Sequence, residues 1–170
     1  MNFLKINKSL IFFLIFFIIS SVTSRADYII GPSEIIDGDT IKINSKKIRL
    51  FGIDAPEKNQ ICKKPYASFF IFSLNKNYYC GKYSTLNLKK FLKKNEIKCK
   101  IKGIDRYKRY LAICFKNSQD INSWLVKNGY AVAYRKYSLK YVKEENYSKK
   151  NKIGIWRGYF EMPWNWRKNN

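Results

Sequence analysis

The segment that decides the fold reads Thr40-Ile41-Lys42-Ile43, then Asn44-Ser45-Lys46-Lys47, then Ile48-Arg49-Leu50-Phe51-Gly52-Ile53-Asp54-Ala55-Pro56-Glu57. Polar and apolar residues alternate from Thr40 to Ile43, the period of a half-buried strand. Asn44 to Lys47 is turn-forming, and Lys47 to Ile53 returns as a second strand with Ile48 and Leu50 on one face. Asp54-Ala55-Pro56 ends it, because proline brings no N–H to the ladder and restrains the residue before it. Upstream, Tyr28 to Ile36 sets Ile29, Ile30, Ile35 and Ile36 around Gly31-Pro32 and reads as an edge strand broken by a turn.

Downstream, Lys58 to Gly81 is aromatic-rich with little clear period and carries two cysteines, so it reads as a disulfide-closed excursion. Lys82 to Lys94, with Leu88, Phe91 and Leu92 at helical spacing, reads as a helix. Ile97 to Ile101 and Tyr110 to Phe115 are the arms of a hairpin around Asp105-Arg106-Tyr107-Lys108. In a symmetric register Ile104 faces Arg109 and Cys99 faces Cys114. Directly opposed β-carbons on antiparallel strands lie about 4.5–5.5 Å apart, close to what a disulfide needs. That pairing leaves Cys62 for Cys80. Zinc is disfavoured, since there is no Cys-x-x-Cys and no histidine. Asp120 caps a helix holding Ile121, Trp124 and Leu125 and ending at Gly129, and Ser138 precedes a charged helix running to about Ile153 and closed by Gly154. Strands first and helices interleaved later, around one core, define an α+β domain on a small barrel.

The chain of 170 residues suits one domain with a short leader. Lys5 and Lys8 precede the apolar run Leu10 to Ile19, and Ser24-Arg25-Ala26 places small residues at the minus-three and minus-one positions. Residues 1–26 therefore read as a secretory signal and 27–170 as the mature domain, exported to the periplasm, the cell surface or the medium. A retained anchor is the weaker reading, because the run falls short of the ~20 apolar residues that span a bilayer. Removing the signal takes three cations and no acid, so the formal charge falls from +22 to +19. Such a field attracts polyanions: nucleic acid first, with anionic membranes and cell-surface polymers as alternatives. A plain lysine bias of surface positions also contributes. The four cysteines suit an oxidising compartment. The absence of histidine excludes every mechanism with a histidine base, nucleophile or metal ligand.

Three segments place charge where a structural role is expensive. Asp37-Gly38-Asp39-Thr40 offers two carboxylates to a hard cation, against an ordinary Asp-Gly turn. Arg49 interrupts an apolar strand close to Asp54 and Glu57, as a phosphate-gripping fork or as a salt bridge to either acid. Asp105-Arg106-Tyr107-Lys108-Arg109 is a basic turn with an aromatic, suited to phosphate contact and base stacking, or simply a solvated loop.

Taken with Ile36-Asp37-Gly38-Asp39-Thr40, these segments resemble the staphylococcal nuclease-like, or thermonuclease, family. Trp124-Leu125-Val126, Gly129, Ala131-Val132-Ala133-Tyr134 and Gly154-Ile155-Trp156 follow in the family's order, so the likeness runs from about Ile30 to Trp156. The resemblance implies a five-stranded OB-like β-barrel with about three α-helices. It implies calcium held by Asp39, Asp54 and the carbonyl of Ala55, catalysis by Arg49, Glu57 and Arg109, and nucleotide contacts from Arg106, Tyr107 and Tyr134. Four positions depart from the family: Ala55 stands where many relatives have threonine, although a carbonyl ligand does not depend on the side chain, Arg106 replaces a lysine, Lys136 a tyrosine of some members, and Lys108 a common glycine. The implied function is calcium-dependent, sequence-tolerant hydrolysis of DNA and RNA by a monomer, on single or breathing strands, leaving 3′-phosphates. The rivals are a catalytically inactive nucleic-acid-binding barrel and a cationic envelope protein. The stretch from Gly158 to Asn170 reads as packing across the barrel rather than as a site.

Overall fold

The structure, a computed structural model, describes residues 27–69, 72–93 and 95–170; the secretory signal expected over residues 1–26 lies outside the described residues. The chain runs β1 (Tyr28–Ile35), β2 (Thr40–Ile43), β3 (Lys46–Leu50), β4 (Ile53–Asp54), β5 (Ile61–Phe69), β6 (Phe72–Tyr79), α1 (Cys80–Leu92), β7 (Glu96–Ile104), β8 (Tyr110–Lys116), β9 (Gln119–Asp120), α2 (Ile121–Lys127), β10 (Val132–Ala133), α3 (Val142–Lys150), a 3-10 turn (Gly154–Arg157) and α4 (Pro163–Asn169). Five strands close into a barrel: β1 pairs antiparallel with β2 and β7, β2 with β3, β7 with β8, and the parallel pair β3–β8 shuts the circle. Closure leaves none of the five with an open edge.

β1 is not the edge strand its sequence suggested. Tyr28 to Pro32 pair with β7 and Ser33 to Ile35 pair with β2, so the Gly31-Pro32 bend is where the strand changes partner. Alternate residues fill the barrel: Ile29, Ile41, Ile43, Ile48, Leu50, Ile97, Cys99, Ala112 and Cys114 form one buried cluster with Leu88 and Leu92 of α1 and Ile121, Leu125 and Val126 of α2. Phe91 stacks flat on Trp124 at 3.9 Å, joining the two helices. The buried Asn122 donates to the Phe51 and Ala112 carbonyls and accepts from the Cys114 N–H. It satisfies the backbone where β3 leaves the barrel.

Asp120 caps α2 as expected, accepting from the Ser123 N–H at 3.0 Å. The later helix is shorter than the sequence implied. Ser138 makes a local turn with the Lys140 N–H, α3 starts only at Val142, and Gly154 opens the 3-10 turn instead of closing a helix. Both disulfides form, Cys62–Cys80 and Cys99–Cys114.

The β7–β8 register shifts by one residue near the turn, where Ile104 faces Tyr110 and not Arg109. A three-residue loop causes this: Asp105 and Arg109 close the turn and Lys108 takes a left-handed φ of 61°. An irregularity between Ile101 and Gly103 then restores the opposition of Cys99 and Cys114. The excursion at Lys58–Gly81 is the hairpin β5–β6, legible as no period because, among the residues whose burial is described, most are exposed and only Cys62 on β5 is buried. Four α-helices occur among the described residues, the fourth being the tail helix α4.

Candidate active site

The turn Asp37-Gly38-Asp39 folds back on itself, since the Asp37 carboxylate accepts the Asp39 N–H at 3.0 Å. Asp37 thereby ties the turn together, and its charge also acts on Arg49. At Gly38 a β-carbon would lie 2.7 Å from that of Ala55, so the missing side chain lets the turn rest against the strand that carries Asp54. The Asp39 carboxylate then accepts the Ala55 N–H at 2.6 Å. Asp39 and Asp54 are 2% and 0% exposed. Arg49, on the adjacent strand, joins them through an ion pair to Asp39 and one of 2.5 Å to Asp54. The salt bridge weighed from sequence exists, and it unites two separate acidic segments.

Glu57 is held from behind. Its N–H donates to Gln60 Oε1 at 3.1 Å, and at Gly81 a β-carbon would lie 2.0 Å from the Glu57 carbonyl, so only glycine permits the start of α1 to press there. The Glu57 side chain is 35% exposed. Parallel pairing of β3 with β8 sets Arg49 opposite Leu111 and so draws Arg109 to the same end of the barrel. Arg109 forms an ion pair with Asp105 through Nε and Nη2, both at 2.8 Å, which leaves Nη1 to point elsewhere. Burial holds the Arg49 guanidinium below its ordinary value; the Asp54 and Asp37 carboxylates pull the other way and the Arg109 charge adds to the lowering. Arg106 and Tyr107 sit at the hairpin tip, with Arg106 4.8 Å and Arg109 5.4 Å from the Tyr107 ring centre. The short pairing of β10 with β4 brings in Tyr134, whose N–H donates to the Gly52 carbonyl at 2.9 Å.

Tertiary structure adds a residue that the sequence reading passed over. Arg167 of α4 donates through Nη1 to Asp54 at 3.1 Å and Glu57 at 2.6 Å, and through Nη2 to Asp54 at 2.8 Å. Burial alone would depress its pKa, but its hydrogen bonds to Asp54 and Glu57 outweigh that and raise it. Trp164 of the same helix stacks on Tyr134 at 5.3 Å and 16°. The tail does pack on the domain, but it packs on this site. The available signal was Met162-Pro163-Trp164, a proline at the first position of a helix.

Asp39, Asp54 and the Ala55 carbonyl are hard oxygen donors, which suit calcium or magnesium and not zinc or copper. The point where the two buried carboxylates converge already holds one cation, the Arg49 guanidinium, so the residues fit a positive ion there. Among the described residues no three acidic or cysteine side chains close on a single point.

A closed OB-like barrel with buried acids, a bridging arginine and a basic hairpin at one end defines the architecture of a nuclease-type domain. The profile of the family described as Staphylococcal nuclease homologue matches residues 47–158. The chain is 37% identical over 136 residues to the succinoglycan biosynthesis protein ExoI of Rhizobium meliloti (strain 1021), covering 78% of this chain and 66% of that one. It is 31% identical over 150 residues to an uncharacterized endonuclease of Haemophilus influenzae, covering 84% and 74%. It is 30% identical over 162 residues to an uncharacterized endonuclease of Escherichia coli O157:H7, covering 91% and 94%. The chain belongs to the staphylococcal nuclease family.

Proposed function

We propose that this protein is an exported, calcium-dependent nuclease that hydrolyses phosphodiester bonds of DNA and RNA with little sequence preference. The observation that carries the reading is the junction of Asp39, Arg49, Asp54 and Glu57 at one end of the barrel, with Arg109 close enough to perturb Arg49. The endonuclease names of the Haemophilus and Escherichia relatives support it. Two disulfides that use all four cysteines support export.

Asp39, Asp54 and the Ala55 carbonyl are the residues that would hold calcium, whose chemistry is to polarise a phosphate oxygen as a Lewis acid. Glu57 orients a water molecule and accepts its proton. The water oxygen bonds to phosphorus as the bond to the 5′ oxygen breaks, the departing 5′ oxygen takes a proton from solvent water, and phosphate stays on the 3′ side. Arg49 and Arg109 hold the non-bridging oxygens and stabilise the charge that grows on phosphorus. Their guanidinium forks match phosphate in two places. Arg106, Tyr107 and Tyr134 supply backbone contact and base stacking, neither of which reads sequence, so single or breathing strands are the favoured substrates of a monomer.

The test is cleavage of a fluorescent single-stranded DNA by purified 27–170, with calcium or with chelator. Cleavage that calcium supports and chelator abolishes is expected. Binding without cleavage in calcium would reduce the protein to a nucleic-acid-binding barrel, and neither binding nor cleavage would leave a cationic envelope protein.

A further inference from the structure

We propose that α4 is an intramolecular latch: in the resting chain Arg167 takes up carboxylate oxygens of Asp54 and Glu57, beside the Arg49 guanidinium that bridges Asp39 and Asp54, and Trp164 takes the place of a nucleobase. The inference rests on the proposed function and adds to it a closed state of the site. Arg167 approaches both oxygens of Asp54, and Arg49 approaches one of them as well. Oδ1 thus has both lone pairs engaged, and Asp54 presents no surface to solvent. A divalent ion needs those same oxygens. Trp164 lies nearly parallel to the Tyr134 ring, the arrangement in which a base stacks on a tyrosine. Two positions needed by substrate and ion are thus filled from one seven-residue helix. Surface cavities of about 380 and 520 Å³ lie elsewhere, and neither is lined by Asp39, Asp54 or Glu57.

The helix is placed to leave. Pro163 is its one fully buried residue, Trp164 packs partly buried against the cluster of Cys62, Cys80, Val132 and Ile155, and so short a helix has little stability of its own. Arg167 is 37% exposed, against 16% for Arg49, so it is the guanidinium that can return to water. The segment before it is anchored: Lys63 and Tyr159 exchange backbone hydrogen bonds at 2.8 and 3.1 Å, and the buried Gln60 donates to the Glu161 carbonyl at 2.6 Å. The pivot falls at Met162, between that anchor and α4. Calcium and nucleic acid bind only the open state, so the latch weakens their apparent affinity by the fraction of chains that are open.

Calorimetric titration of the full mature chain with calcium alone, without substrate, tests this. Arg167→Ala is expected to bind calcium about tenfold more tightly than the wild type. Equal or weaker binding by the variant overturns the latch and makes Arg167 a positioning residue for Asp54 and Glu57. Failure of both proteins to bind calcium overturns the proposed cofactor together with the latch. Hydrogen exchange in the unsubstituted chain gives a second reading independent of folding in a variant. The Asn165 and Trp166 amides, bonded to the Met162 carbonyl at 2.9 and 3.0 Å, should exchange several-fold faster once calcium and a single-stranded oligonucleotide are present. Unchanged protection of these amides overturns the proposal.

Discussion

Replacing Arg49 by lysine separates the catalytic use of this residue from its structural one. In the resting structure one planar fork serves two buried acids, Asp39 and Asp54, from two different nitrogens. A lysine keeps the charge between them but is a point donor and cannot reproduce the fork. The loss is then one charge-assisted hydrogen bond, about 1.5–3 kcal/mol. That is less than the ~3–5 kcal/mol expected when a buried pair loses a partner outright, as in Arg49→Ala. A domain of ordinary stability, about 5–15 kcal/mol, survives the lysine change folded. Catalysis is hit harder. The arginine holds a phosphate oxygen as charge grows on it, and loss of one such donor costs about 2.7–4 kcal/mol of barrier, a hundred- to thousandfold in rate. The assay pairs urea unfolding with turnover on a fluorescent single-stranded DNA in calcium. A folded Arg49→Lys protein that cleaves at near wild-type rate would refute the assignment of Arg49 to the phosphate.

Arg109→Lys should lose turnover on the same scale with a smaller loss of stability, since Arg109 pairs with Asp105 at a partly exposed site; equal turnover in a side-by-side assay removes it from the catalytic set. Each disulfide closes a loop of similar length, with partners 18 and 15 residues apart, so paired Cys→Ala changes should each cost about 3 kcal/mol in denaturant unfolding. Only the loss of Cys62–Cys80 should also reduce activity in the folded protein, because Cys80 begins the helix whose Gly81 presses on Glu57. Glu145→Gln should raise KM more than it lowers kcat, since Glu145 accepts the Ala133 N–H at 2.9 Å and pairs with Arg135, fixing the chain on both sides of Tyr134. The Asp105 carboxyl is pushed up by burial, but the hydrogen bonds from the Arg109 backbone and side chain outweigh this and hold it below its ordinary range. Its contribution is therefore present above the unfolded value of about 3.9 and fades as pH falls through the lower folded value. Asp105→Asn should be less stable than the wild type near neutrality, and acid titration of both should make that gap close below about pH 4.

Local sequence was enough for much of this protein. Alternation in Thr40–Ile43 and the shared face of Ile48 and Leu50 marked two strands, although the second, read as Lys47 to Ile53, stops at Leu50, and Asp120 marked a helix start because its carboxylate meets the Ser123 N–H. The spacing of Cys99 and Cys114 about a turn gave their pairing, since opposed residues on a hairpin are near in space whatever the rest of the chain does. Where the local signal was ambiguous, as in β5–β6, burial had no period to display.

What sequence spacing could not give was assembly. Asp39 and Asp54 are stitched together through the Ala55 N–H, and Arg49 reaches both only because β2 and β3 share a ladder. Arg109 arrives through a parallel pairing that closes the barrel, and Arg167 lies 113 positions from the Asp54 it contacts. Residue types and order thus determined the chemistry available: oxygen donors, guanidinium groups, tyrosines and no imidazole. Tertiary structure alone decided which of them meet, because contacts between distant segments depend on barrel closure and tail docking, and neither leaves a period in the chain.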